Sequence, residues 1–229
     1  MRTLNEKPAR VLRTPRAAGV AGVLFALLLS AALVLVRIAV PGHLAGAAAW
    51  LANPTNRHVL RTALSLVPFA GVFFLWFMGA VRDHVAHGRA DRFFDTLFLG
   101  SGLLFVAMVF VLAAWVDGLI ATAGTLRLTG QLASWEFGRH LTLTLLANYA
   151  MRMAAVFTFC TTTMGYRLGV FPRWLTWFGV LAGLVLLFLV STIAWSELVF
   201  PAWVLVLSGH VLWSSLRSPE ARDAPEAGE

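Results

Sequence analysis

Residues 140–163 read HLTLTLLANYAMRMAAVFTFCTTT, a run in which Arg152 is the only side chain among Asp, Glu, Lys and Arg. A helix crossing a hydrocarbon layer about 30 Å thick needs roughly 20 mostly apolar residues at about 1.5 Å each. The stretch from Leu141 to Thr163 meets that requirement and adds a polar stripe. Thr144, Asn148 and Arg152 recur at i, i+4 and i+8, a sector about 80° wide at about 100° per residue. Counted from Leu141, Arg152 lies about 16 Å down the axis, near the bilayer centre. Exposure to lipid there costs an arginine at least about 2.5 to 3.5 kcal/mol, so Arg152 is expected to face the bundle interior and find acceptors.

Five further stretches pass the same test: 17–40, 60–81, 93–116, 174–192 and 198–216. The chain is therefore expected to be all-α, a polytopic transmembrane helix bundle of six spans, with a basic segment at 1–16 and a polar tail at 217–229. Composition excludes a soluble domain: 59% of the 229 residues are apolar, 13% are charged, and the mean hydropathy is +0.78. Soluble domains run near 45–50% apolar and about 25% charged. Pro41-Gly42 stops the first span, which at about 24 residues is too long for the 7–15-residue core of a signal peptide. It reads as a retained anchor despite the small-residue run Ala47-Ala48-Ala49. The connection Asp117 to His140 reads equally well as a short interfacial helix or an irregular loop.

Basic residues set the expected orientation, because they accumulate on the cytoplasmic side. With the N-terminus inside, twelve of the 18 basic residues face the cytoplasm, and Arg57, Arg61, Arg127 and Arg139 face outward. Both termini are then cytoplasmic. Trp50, Trp115, Trp135 and Trp195 gather at the outer interface, and Trp174, Trp177 and Trp213 near the inner one, as an aromatic belt requires. Since topology accounts for the basic excess, no nucleic-acid partner is implied; the partner expected is the lipid bilayer. Seventeen of the 18 basic residues are Arg, a bias expected of a GC-rich bacterial genome. The localisation expected is the bacterial inner membrane, and the tail SPEARDAPEAGE is too polar to fold.

Chemical motifs are weak. His84 and His87 stand i, i+3 in RDHVAHGRADR, where solvation or pairing with Asp83 or Asp91 is the ordinary outcome. His140 and His210 fall at opposite span ends, which argues against a haem, and no lysine lies inside a span to hold retinal. Gly100-Ser101-Gly102 and His210 resemble the Ser-His pair of rhomboid proteases, but in Phe98-Leu99-Gly100-Ser101-Gly102 the motif's first glycine is missing and the serine lies one span early. No catalytic residue, metal or cofactor is expected. Cys160 has no intrachain disulfide partner. Gly179 and Gly183 form a GxxxG element suited to close packing, within the chain or in an oligomer.

The segment Gly165 to Leu216, GYRLGVFPRWLTWFGVLAG followed by a last helix ending LVLSGHVLW, resembles the carboxy-terminal hairpin of bacterial multi-pass membrane families of unknown function. The resemblance covers about 50 residues. It implies an inner-membrane protein and transfers no catalytic residue.

The function expected is binding or transport of a small anionic or amphiphilic solute at an interior polar site of Arg152, Asn148, Thr144, Tyr149 and Glu197. The alternative is a non-transporting scaffold or accessory subunit whose polar stripe only fixes packing. Acceptors weighed for Arg152 are Asp95, Asp117, Glu197, Asn148, Tyr149 and carbonyls freed beside Pro68 or Pro201. Arg37, four residues before Pro41, is expected only to snorkel outward.

Overall fold

A computed structural model describes residues 15–39, 53–85, 92–122, 128–193 and 195–217. The N-terminal basic segment up to residue 14, Ala47-Ala48-Ala49, Trp50, His87 and the polar tail after residue 217 lie outside the described residues, as do the side chains of His84 and Trp135. Every regular element described is a helix. In chain order they are α1 (Pro15–Ala39), α2 (Pro54–Val85), α3 (Arg92–Thr122), α4 (Leu128–Leu143), α5 (Met151–Arg167), α6 (Arg173–Leu184) and α7 (Val199–Arg217). A π-helical turn, Thr144–Ala150, joins α4 to α5 without a break, and a second, Val185–Leu189, extends α6.

Five helical stretches are long and apolar enough to cross a membrane, and Arg173–Leu189 is a shorter apolar one. Large apolar side chains point outward on successive helices, among them Leu27, Phe69, Trp76, Leu103, Val111, Leu181 and Phe188. A soluble monomer rarely exposes so wide an apolar surface, whereas lipid accepts it. These helices make the chain a multi-pass membrane protein.

Helix ends follow local chemistry. Asn53 caps α2 by accepting the Thr55 N–H at 2.9 Å, with Pro54 in the first helical position. The expected second span thus starts six residues early. Pro68 lies inside α2, which continues across it, so it makes no helix break. Pro201 falls in the first turn of α7, where no intrahelical N–H is lost. The connection expected from Asp117 to His140 is neither a loop nor a separate interfacial helix over its described part. α3 runs on to Thr122, and α4 is continuous with the span that follows.

Small residues let α1 wedge between α2 and α7. A Cβ on Gly22 would collide with Ser208 and Phe77, and one on Gly19 with Leu212. The remaining helices complete a circuit, α3 against α2 and α5, α6 against α5 and α7. Inside it sits an aromatic cluster. Phe74 lies 4.7 Å from Phe25, 5.4 Å from Phe105, 5.0 Å from Phe157 and 6.0 Å from Phe200, centroid to centroid. Each ring is at most 1% exposed. With no water to expel, tilted and edge-on ring pairs carry the association, at about 0.5–1.5 kcal/mol each. The GxxxG face of α6 packs within the chain: Gly179 faces Thr162 and Trp203, and Gly183 faces Phe159. Both glycines are buried, so the surface considered for an oligomer contact is occupied by α5 and α7.

The motif GYRLGVFPRWL has a structural explanation. Gly169 adopts φ +67°, the left-handed conformation that ends α5, and its N–H donates to the Tyr166 carbonyl at 3.0 Å. The chain then reverses so that the Phe171 ring lies on Gly165, where a Cβ would collide with it. Pro172, extended at φ −64° and ψ 153°, opens α6.

Candidate functional site: a polar cleft at one end of the bundle

The cleft lies where α1 ends and α6 turns into α7. That turn is tightly built. Trp195 adopts φ 72°, which a bulky side chain rarely takes, and Ser196 Oγ donates to the Ile193 carbonyl at 2.6 Å. Trp195 is held from outside: the Arg37 guanidinium carbon stands 5.5 Å from its ring centroid, in cation–π range. The same guanidinium donates through Nη1 to Glu197 Oε1 at 3.2 Å. One arginine therefore ties the end of α1 to both sides of the strained turn. Arg37 was expected only to snorkel; the structure gives it a carboxylate and an aromatic partner.

Below this rim is a cleft of about 410 Å³. Arg37, Glu197, His140, Thr144, Asn148 and Ser191 supply its polar wall, and Leu143, Leu146, Ala147, Val190 and Ile193 its apolar wall. One π-turn lines it and the other leads up to it. The first contains Thr144 to Asn148, and the second ends immediately before Val190 and Ser191. A π-turn replaces i→i−4 bonding by i→i−5, seen here in the Met151 N–H bonded to the Leu146 carbonyl. It thereby shifts the faces above and below it out of the register of a straight α-helix.

Asn148 forms the floor. Its Oδ1 accepts from Arg152 Nη1 at 3.1 Å and from Ser191 Oγ at 3.1 Å, and its backbone carbonyl accepts from the same Nη1 at 2.7 Å. Two donors use both lone pairs of Oδ1, so the amide NH₂ is the group Asn148 retains for the cleft. Arg152 is half-buried, and no carboxylate lies within 4 Å of it among the described residues. Of the other acceptors weighed, Asp95 binds Arg82 through two bonds of 3.0 and 2.9 Å, and Glu197 binds Arg37.

The five residues singled out from sequence are thus distributed. Thr144, Asn148 and Glu197 line the cleft. Arg152 stands behind Asn148 without lining it, and Tyr149, 53% exposed, points outward. The helix starts at Leu128, before the expected Leu141, and Arg152 stands midway along its apolar stretch Glu136–Arg167. Arg37, His140 and Ser191 were missed. Arg37 and Glu197 lie 160 residues apart, so only the fold joins them. Among the described residues no group of three His, Cys, Asp or Glu side chains is placed to hold a metal ion. No protein-family model matches the chain, nor does any curated protein or any solved structure.

Proposed function

We propose that this protein is a six-span bacterial inner-membrane protein with both termini cytoplasmic, which binds a small anionic or amphiphilic solute in the outward-opening cleft above Asn148. The observation that carries this reading is the convergence of polar side chains from α1, α4, the first π-turn and the α6–α7 turn on one 410 Å³ opening. Arg37 and Glu197 neutralise one another at the rim, which leaves Arg152 as the uncompensated cation behind the floor. A solute bearing a carboxylate or phosphate would meet the Asn148 NH₂ with that positive charge behind it.

Depth supports the same assignment. From Arg167 to Arg152 the α-helix rises about 22 Å, so with Arg167 at the inner boundary Arg152 lies about 8 Å short of the outer one. Solute would then enter from the outer aqueous face or laterally from the outer leaflet. Reporter fusions after Ser218 and within residues 124–131 test the orientation, with inside and outside signals expected respectively. Mass spectrometry of small molecules carried through purification tests binding: a solute retained by wild type and lost in Asn148→Leu and Thr144→Val is expected.

The scaffold reading draws on one observation, that Arg152 is held by its own helix neighbour. It prevails if wild type and both variants carry the same small molecules, or none, while remaining folded.

A further inference from the structure

At the opposite end of α6 from the cleft, Tyr166, Arg173, Thr176, Trp177 and Val180 enclose a groove of about 400 Å³ between the end of α5 and the start of α6. Its chemistry is one-sided. Arg173 is exposed, and no carboxylate lies within 4 Å of it among the described residues. Tyr166 is 60% and Trp177 74% exposed, which places a phenol and an indole N–H at the groove mouth. The Thr176 hydroxyl is turned back to the Pro172 carbonyl at 3.4 Å, leaving its oxygen as an acceptor only. One cation, two aromatic donors and no acid make a surface for an anion with an apolar attachment.

Helix length points the same way. Arg173–Leu189 comprises 12 α-helical and 5 π-helical residues. At about 1.5 Å per residue it reaches about 25 Å, some 5 Å less than a hydrocarbon core of about 30 Å. A short span is accommodated by local thinning, which draws headgroups inward at its ends. The exposed side chains Leu181, Leu184 and Phe188 continue from the groove along α6, a path for an acyl chain.

We propose that this groove is a binding site for an anionic phospholipid, its phosphate on Arg173 and an acyl chain along α6. Neutral phospholipids share the phosphate but bring a compensating ammonium, which the unopposed Arg173 disfavours. The site is independent of the solute reading of the cleft.

The test uses the full chain in detergent, with native mass spectrometry after exposure to equal amounts of phosphatidylglycerol and phosphatidylcholine. Wild type should retain phosphatidylglycerol preferentially, by about tenfold for one charge-assisted contact. Arg173→Gln should erase the preference, Arg173→Lys keep most of it, and Trp177→Ala weaken it two- to threefold. Arg57→Gln, at the far end of the bundle, should change nothing. A preference that survives in Arg173→Gln overturns the proposal. So does displacement of the lipid by millimolar inorganic phosphate, which would make the groove a site for free phosphate. If Arg173→Gln fails to fold, an unchanged preference in Trp177→Ala overturns it, since the groove mouth then plays no part.

Discussion

The aromatic centre and the polar cleft are assembled from the same helices by opposite means. At the centre, Phe25, Phe74, Phe105, Phe157 and Phe200 project from α-helical segments and are sealed from every side. At the cleft, the π-turn at Thr144–Ala150, the end of α1 and the 3₁₀ turn at Ser196–Leu198 that follows a left-handed Trp195 present side chains of mixed polarity to an opening. The centre has many interchangeable contacts, each small. The cleft has few contacts, each tied to a named donor and acceptor. Large losses of stability should therefore come from removing volume at the centre, whereas changes in the cleft should depend on whether a charge or donor is left unpaired.

Phe74→Ala should have the largest effect. Five aromatic neighbours meet at Phe74, and truncation of a buried Phe costs about 3–5 kcal/mol when the surroundings cannot collapse. Thermal unfolding in detergent measures it. A Phe74→Ala protein as stable as a cleft variant such as Thr144→Val would erase the contrast between the two regions.

Next is Gly179→Val, which forces carbon into Thr162 and towards Trp203 Nε1, the latter only 3.1 Å from an added Cβ. Overpacking of this kind costs about 1–3 kcal/mol. Gly100 is the internal control. A Cβ there meets nothing within 4 Å, so Gly100→Ala should be neutral or stabilise by up to about 1 kcal/mol through helix propensity. If both glycines respond alike, close approach of α6 to α5 is not what holds Gly179.

Glu197→Gln comes third, at about 1–3 kcal/mol, because it leaves Arg37 facing a neutral group beside the strained turn. The Glu197 side chain is 12% and that of Arg37 38% exposed, so solvent reduces the loss toward the lower figure. The double variant Arg37→Leu, Glu197→Leu should recover part of it. Recovery, read as a coupling in a double-mutant cycle, would show the pair acting as a unit.

These two regions also differ in how far the sequence discloses them. Six apolar stretches announced a helix bundle, yet nothing in them distinguished core from lipid contact. Trp76 is 61% exposed and its neighbour Phe77 1%, and no polarity pattern separates the two. A bilayer is as apolar as a protein core, so the alternation that marks buried faces in soluble helices is erased. Polar residues stand out against that uniform ground, which is why Thr144, Asn148 and Glu197 were legible. Their partners were not. A spacing of i, i+4, i+8 assumes a straight α-helix, whereas the π-turn at Thr144–Ala150 places Asn148 in the cleft and Arg152 behind it. Ser191 meets Asn148 across 43 residues, and no local pattern could foretell that contact.

Arg152→Leu should have the smallest effect of the set, within about 1 kcal/mol. Removing the arginine deletes a cation whose partners are the neutral carbonyl and side-chain oxygen of Asn148, and Ser191 Oγ still satisfies Oδ1. The reverse change is costlier. Asn148→Leu leaves the half-buried guanidinium without its side-chain acceptor and Ser191 without its partner, a loss of about 1–3 kcal/mol. Adding Arg152→Leu to Asn148→Leu should then restore stability, because the group that had lost its acceptor is gone. An Arg152→Leu protein that unfolds more readily than Asn148→Leu would show that Arg152 is itself the structural anchor, with acceptors beyond Asn148. If Arg152→Leu instead keeps its stability and loses a solute that wild type carries, the arginine acts through charge behind the floor. Arg152→Lys separates charge from reach: lysine keeps the cation on a shorter side chain, whereas Arg152 Nη1 donates to both Asn148 oxygens, so it should retain only part of the binding.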